Sequence, residues 1–328
     1  MLNSIVRKQL KINGKLSVRN NIFLSPLDIN KSSIDGTVSQ NDLMFHSSRS
    51  KDVGVDVVGS AYVSQTGKTS TNSVSICKDS DVNQLRYLSD AIHQNGSRAF
   101  IQLVHAGRMT NSNTNGGLPV IAPSAVKAKH GDFPIPREMT KGDVYQVIQE
   151  FTDAVDRAYA AGFDGIELHG ANTFLLQQFV SPQSNQRTDM FGGNLYRRLT
   201  FVTLLVTKVI EHAKKLSSNF IVGYRLSPEE IEDGGMTLDE TVSLAIVLDK
   251  LGIDYLSLSI SNYAQIPQTV DTEMSIVSIF EKFVKCQIVV AGGIKTKQDI
   301  IEAGHKADFL AVGMALINDP DWLKKVGD

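Results

Sequence analysis

Short apolar runs rich in Val, Ile, Leu and Phe alternate with longer stretches of helical period along the whole chain. Strand-like runs fall at residues 22–24, 55–63, 99–104, 164–168, 220–226, 255–260, 287–291 and 309–312, most of them bounded by Gly, Asp, Asn or Ser. Between them, Thr140 with Asp143 and Thr237 with Glu240 approximate capping boxes, in which a hydroxyl and a carboxylate three residues on satisfy each other's free N–H groups. Ahead of the first run, K-I-N-G-K-L-S-V reads as a β-hairpin with Asn13 and Gly14 in its turn, because both residues tolerate the positive φ that a two-residue turn demands. Eight strands with intervening helices suit a (β/α)8 barrel, and a doubly wound parallel sheet shares that alternation.

No fixed-period repeat, low-complexity block or Pro/Gly/Ser-rich linker divides the chain, so residues 1–328 are read as one domain. The longest irregular stretch, residues 107–137, follows the third strand and contains N-S-N-T-N-G-G and P-I-P. A loop of that length inside a compact domain is more often a lid or binding loop than surface disorder.

Composition narrows the function. The 328 residues are 42% hydrophobic, enough for a large core, and the formal net charge of -2 offers no broad basic field for nucleic acid or an anionic membrane. The N-terminus lacks a long apolar segment and no later run reaches membrane-spanning length, so a cytoplasmic enzyme is expected. Cys77 and Cys286 alone make neither a disulfide framework nor an iron–sulfur site, and no H-E-x-x-H motif signals a metal. G-x-G-x-x-G after a strand and G-x-x-x-x-G-K-[ST] are also missing, so neither a dinucleotide nor a triphosphate cradle is signalled. A homo-oligomer is compatible with all of this.

Candidate chemistry gathers at the C-terminal ends of the strands, where barrel enzymes hold their sites. His169 and Asn172 follow the strand at 164–168 and, three residues apart, could donate to one small acceptor that gains negative charge. A helix cap is the competing reading of the pair. A-G-G-I at 291–294 and A-V-G-M at 311–314 place Gly292, Gly293 and Gly313 after the last two strands, where backbone N–H groups can approach a phosphate. Tight turns would also explain those glycines.

Residues 161–201, running from A-G-F-D-G-I-E-L-H-G-A-N to S-P-Q-S-N-Q-R-T-D-M-F-G-G-N-L-Y-R-R-L-T-F, closely resemble the old yellow enzyme family of FMN-containing, NAD(P)H-dependent reductases of activated alkenes. The resemblance decides for the TIM barrel. It implies bound FMN, NADH or NADPH as a transient reductant, and a small electrophilic acceptor such as an enone, quinone or nitro compound, the last two sharing one site in a ping-pong sequence. It further implies that Ser25, Pro26 and Leu27 run beneath the isoalloxazine ring and that Ser60 is a contact from strand two. Gln102 would meet the pyrimidine edge, Arg225 would lie beside flavin N1, and Gly292, Gly293, Gly313 and Met314 would surround the phosphate. His169 and Asn172 would hold the acceptor's oxygen. Taken singly, Gln102 and Arg225 would read as interior hydrogen-bonding or salt-bridging groups.

Three departures from the family pattern stand in the candidate site. Phe174 replaces the tyrosine that usually delivers a proton to substrate, Asp28 stands at a position often threonine or cysteine beside the ring, and Met314 replaces a phosphate-binding arginine. Phosphate would then rest on backbone donors with Lys295, and Tyr62 or Tyr263 could substitute as acid. Smaller changes are Tyr196 with Arg197, where the family commonly has Glu-Asn, and Asn30. These departures motivate two alternatives: a flavin-binding sensor or binding module without reductase activity, and a flavin-free phosphate-binding lyase or isomerase using His169 as acid or base.

Overall fold

The computed structural model describes residues 6, 8–230 and 232–327. The eight parallel strands that form its barrel are β1 (Ile22–Leu24), β2 (Val55–Tyr62), β3 (Arg98–Val104), β4 (Gly165–Gly170), β5 (Ile221–Leu226), β6 (Tyr255–Ser259), β7 (Gln287–Ala291) and β8 (Phe309–Val312). Each pairs with the next, and β8 pairs with β1 through Leu310↔Ile22, Ala311↔Phe23 and Val312↔Leu24, so the sheet closes into a barrel. A parallel pair needs a crossover, and here the crossovers carry α1 (Gln40–Arg49), α2 (Val82–Gln94), α3 (Lys141–Ala160), α4 (Thr200–Leu216), α5 (Leu238–Leu251), α6 (Ile276–Phe283) and α7 (Lys297–Gly304).

Both expected capping boxes form: Thr140 accepts from Asp143 N–H at the start of α3, and Thr237 from Glu240 N–H at the start of α5. Along α3, Val144, Val147, Ile148, Phe151, Val155 and Ala158 recur at helical spacing and are buried in the layer between helices and barrel.

A second, smaller core fills the barrel itself. The hairpin strands Lys8–Ile12 and Leu16–Asn20 pair antiparallel across Asn13 and Gly14, whose φ values of 44° and 68° are those its turn requires. Ile12, Leu16 and Val18 plug the N-terminal end of the barrel and join one cluster with Phe23, Val57, Phe100, Tyr255 and Phe309. Phe23 meets Phe100 and Tyr255 edge to face at 6.1 and 5.6 Å between centroids. Asn13 and Lys15 both bond Asp254 Oδ1, at 2.7 and 2.6 Å, which latches the hairpin to the base of β6.

Residues 107–137 form an organised span. They include a helical turn, Ser112–Asn115, and a strand pair, Ile121–Ala122 with Arg137–Glu138. The buried Arg108 donates to the carbonyls of Val126 and Lys127 and to Gln183 Oε1, while Lys129 reaches the carbonyl of Asp233 in the loop after β5. The segment, itself the loop after β3, thus contacts the loops after β4 and β5.

Candidate active site

β4 runs two residues further than its sequence pattern suggests, so His169 lies within the strand and only Asn172 lies beyond it. Alternation along β4 sends Ile166 and Leu168 into the helix layer and Glu167 and His169 into the barrel. In register beside them stand Gln102 on β3, level with Glu167, and Arg225 on β5, level with His169. Gln102 Nε2 donates to Glu167 Oε1 at 2.7 Å, and the Tyr255 hydroxyl donates to Glu167 Oε2 at 3.0 Å. Arg225 directs its guanidinium to the Ser257 and Ser259 hydroxyls, at 3.5 and 3.2 Å. A polar layer therefore sits directly above the apolar plug.

His169 is buried and receives the Ala171 N–H at its Nδ1, at 3.4 Å, an acceptor role that places its own proton on Nε2. Burial, reinforced by the Arg225 charge, pushes its pKa down to about 3. It is a neutral donor at pH 7. The Phe174 ring stands edge-on to it at 5.0 Å and 72°. Asn172 has φ 54°, and its backbone N–H donates to Ser227 Oγ at 3.0 Å. Its Oδ1 accepts from Ser259 Oγ at 3.2 Å, which turns the amide NH2 away from β6. The short helix Leu175–Val180 has Phe174 at its N-cap and no side-chain cap, so the pair does not serve as a helix cap.

On the opposite side of the barrel, the closing contact between Ser25 N–H and the Val312 carbonyl, 2.9 Å, brings the segment after β1 against the end of β8. Gly313 has a negative φ of -110° with ψ -86°. A Cβ there would project within 3.6 to 3.8 Å of Ser25 and Leu27, into a cradle that the missing side chain keeps open. Pro26 and Leu27 are half-buried, and Ser60 is buried on β2. Gly292 and Gly293 have φ of 136° and 74°, and at Gly292 a Cβ would overlap the Ile260 carbonyl oxygen, so steric need accounts for both. Met314 and the Lys295 side chain are exposed. The donor chemistry fits a flavin: a cation and an amide for its polar edge, and an open cradle between two strand ends for the remainder.

Asp28 is held by donors from two loops. Its Oδ2 accepts from Ser70 at 2.8 Å and Thr69 at 3.3 Å, and its Oδ1 from Asn30 N–H at 3.0 Å, so the carboxylate ties the loops after β1 and β2 together. The two candidate substitute acids are committed elsewhere. Tyr62 donates to the Asp35 carbonyl at 3.1 Å and burial pushes it up to about 12, while Tyr263 donates to Asp299 and Glu302 at 3.1 and 2.8 Å. Beside Asn172, a cleft of about 860 Å³ opens between the loops after β5 and β6, walled by Ser227, Glu229, Ser259 and Gln268. Glu167 and Tyr255 are members of the polar layer that the sequence motifs do not single out. The signal was present: in G-I-E-L-H-G, Glu167 shares the His169 face by the two-residue period of a strand.

Among the described residues, no helix is long and apolar enough to cross a membrane, and no cluster of three His, Cys, Asp or Glu could hold a metal. A protein from Vibrio harveyi described as NADH:acrylate oxidoreductase is 37% identical over 94% of the chain, which spans only 32% of that relative's length. A probable NADH-dependent flavin oxidoreductase of Bacillus subtilis is 35% identical over 95% of the chain and 84% of its own length. The solved structure of morphinone reductase shares the fold at 23% identity, with a TM-score of 0.84 over 96% of this chain and 87% of that one. The model of the NADH:flavin oxidoreductase / NADH oxidase family matches residues 9–328, and the chain belongs to that family.

Proposed function

We propose that the chain is a one-domain NAD(P)H oxidoreductase that binds FMN at the barrel mouth and reduces small electron-poor acceptors. The observation that carries this reading is the buried polar layer of Gln102, His169 and Arg225 above the apolar plug, with the Gly313 cradle open beside it. Ser25, Leu27 and Gly313 would hold the cofactor on one side, and Gln102 and Arg225 its polar edge. When bound there, FMN would supply hydride-transfer chemistry between a reduced nicotinamide and an electron-poor acceptor. Supplying such acceptor binding, the Nε2–H of neutral His169 and the Asn172 amide donate to the acceptor's oxygen and stabilise the charge that develops on it. Arg225 contributes a cation where electrons accumulate.

Protonation divides the acceptor classes. Phe174 carries no proton, His169 is neutral, and the hydroxyls of Tyr62 and Tyr263 are spent on other partners. An acceptor reduced at oxygen takes its proton from solvent, whereas an enone needs one delivered to carbon. Quinones and nitro compounds are therefore the preferred acceptors, and acrylate, named for the Vibrio relative, belongs in the comparison. The test is direct: the purified protein should be yellow, release FMN on denaturation, and in stopped flow be bleached by NADH or NADPH and reoxidised by a quinone. A colourless protein that takes up no FMN would favour a phosphate-binding lyase or isomerase. Phe174 also supports a second reading, a flavin-binding sensor, which bleaching without reoxidation by any of these acceptors would favour.

A further inference from the structure

Glu167 has no part in the chemistry proposed above, yet it touches the groups that would perform it. Its carboxylate is 1% exposed, accepts from Gln102 on one oxygen and from Tyr255 on the other, and faces the charge of Arg225. The Tyr255 ring reaches it by crossing Gly223, where any Cβ would overlap the ring. We propose that Glu167 is a positioning residue of the flavin site, one that fixes the orientation of the Gln102 amide and offsets the charge of Arg225. This rests on the flavin reading.

A carboxylate accepts only, so the end of Gln102 bonded to it is the NH2, and the carbonyl is the end left to meet an N–H of the cofactor. Without that bond the amide could present either end. Arg225 makes no direct bond to Glu167. Its guanidinium bonds two serine hydroxyls, so Glu167 acts on it through space, in an interior where screening is weak. The carboxylate cancels part of the field that the guanidinium projects to the mouth. The site's preference for reduced, anionic flavin over the oxidised form is then set by the sum of both charges.

Two substitutions separate the roles, read by FMN titration of the apo-protein and by the midpoint potential of the bound flavin against a redox dye. Glu167→Gln removes the charge at equal size. It should weaken oxidised FMN several-fold and raise the ratio of reduced to oxidised affinity roughly tenfold, an increase of about 30 mV in a two-electron potential. Glu167→Asp keeps the charge and withdraws the acceptor from Gln102, so FMN should bind more weakly at a nearly native potential. An unchanged potential in Glu167→Gln, or equal shifts in both variants, would overturn the charge role. Native FMN affinity in Glu167→Asp would overturn the positioning role even if the Gln variant does not fold. Wild-type protein that takes up no FMN would instead sink the flavin reading itself, a result distinct from variants that behave as wild type.

Discussion

The lower and upper halves of the barrel interior are lined by the same strands and differ in almost every side chain they receive. Below, Phe23, Phe100, Tyr255 and Phe309 interlock with the hairpin's Ile12, Leu16 and Val18. Above, Gln102, Glu167, His169 and Arg225 are as deeply buried but bring charges and hydrogen-bonding groups into a medium that penalises them. Tyr255 belongs to both halves, its ring in the lower cluster and its hydroxyl on Glu167. The lower half contributes stability that lets the upper half keep groups chosen for binding and chemistry.

That division can be broken from either side. Phe23→Ala, which empties the centre of the lower cluster, should cost about 3–5 kcal/mol of stability in urea unfolding. A loss under 1 kcal/mol would mean that the hairpin plug carries little of the fold's stability. In the upper half, Phe174→Tyr should raise the rate of enone reduction roughly ten- to a thousandfold, while flavin reduction by NAD(P)H changes little. Fast enone turnover by the native protein, with no gain from the tyrosine, would point to another proton donor. His169→Ala or Asn172→Ala should each weaken phenolate binding, followed through the flavin spectrum, by about 1.5–3 kcal/mol.

Smaller effects sharpen the contrast. His105 at the end of β3 is fully buried, accepts the Gly107 N–H at Nδ1, and burial pushes its pKa down to about 3. An unfolded histidine takes up a proton below about pH 6.5. Between those values the unfolded chain binds more protons, so stability falls as pH falls, and His105→Gln should flatten that dependence. Urea midpoints from pH 7 to pH 4 in both proteins would decide it, and parallel curves would refute it. Met314, exposed at the end of β8, stands apart from the buried layer, so Met314→Arg should improve FMN retention in dialysis by only about 0.5–1 kcal/mol, as a solvent-screened charge does. No gain would indicate that the phosphate lies elsewhere.

The barrel was legible because each strand is a short apolar run and helix starts such as Thr140 announce themselves locally. The site was legible in part, through motifs: these single out Gln102, His169 and Arg225, which the fold sets side by side on β3, β4 and β5. What escaped depends on contacts between distant residues. Nothing local in Tyr255 foretells that it crosses Gly223 to reach Glu167, and nothing near Tyr62 foretells that its hydroxyl ends on the Asp35 carbonyl. Counting alternate residues also fails along β2. Val55 and Val57 face the barrel interior, but the register with β3 slips between Val58 and Ala61, and Ala61 ends in the outer layer.

The contact that closes the barrel joins Ser25 to Val312, and the cradle beside it needs Leu27 from one end of the chain and Gly313 from the other. During synthesis, a ribosome must therefore deliver the chain past residue 313 before that cradle can exist. Every shorter nascent chain lacks half of it. Under the proposed flavin reading, cofactor capture would report that β1 and β8 have met, and products truncated before residue 313 would stay colourless.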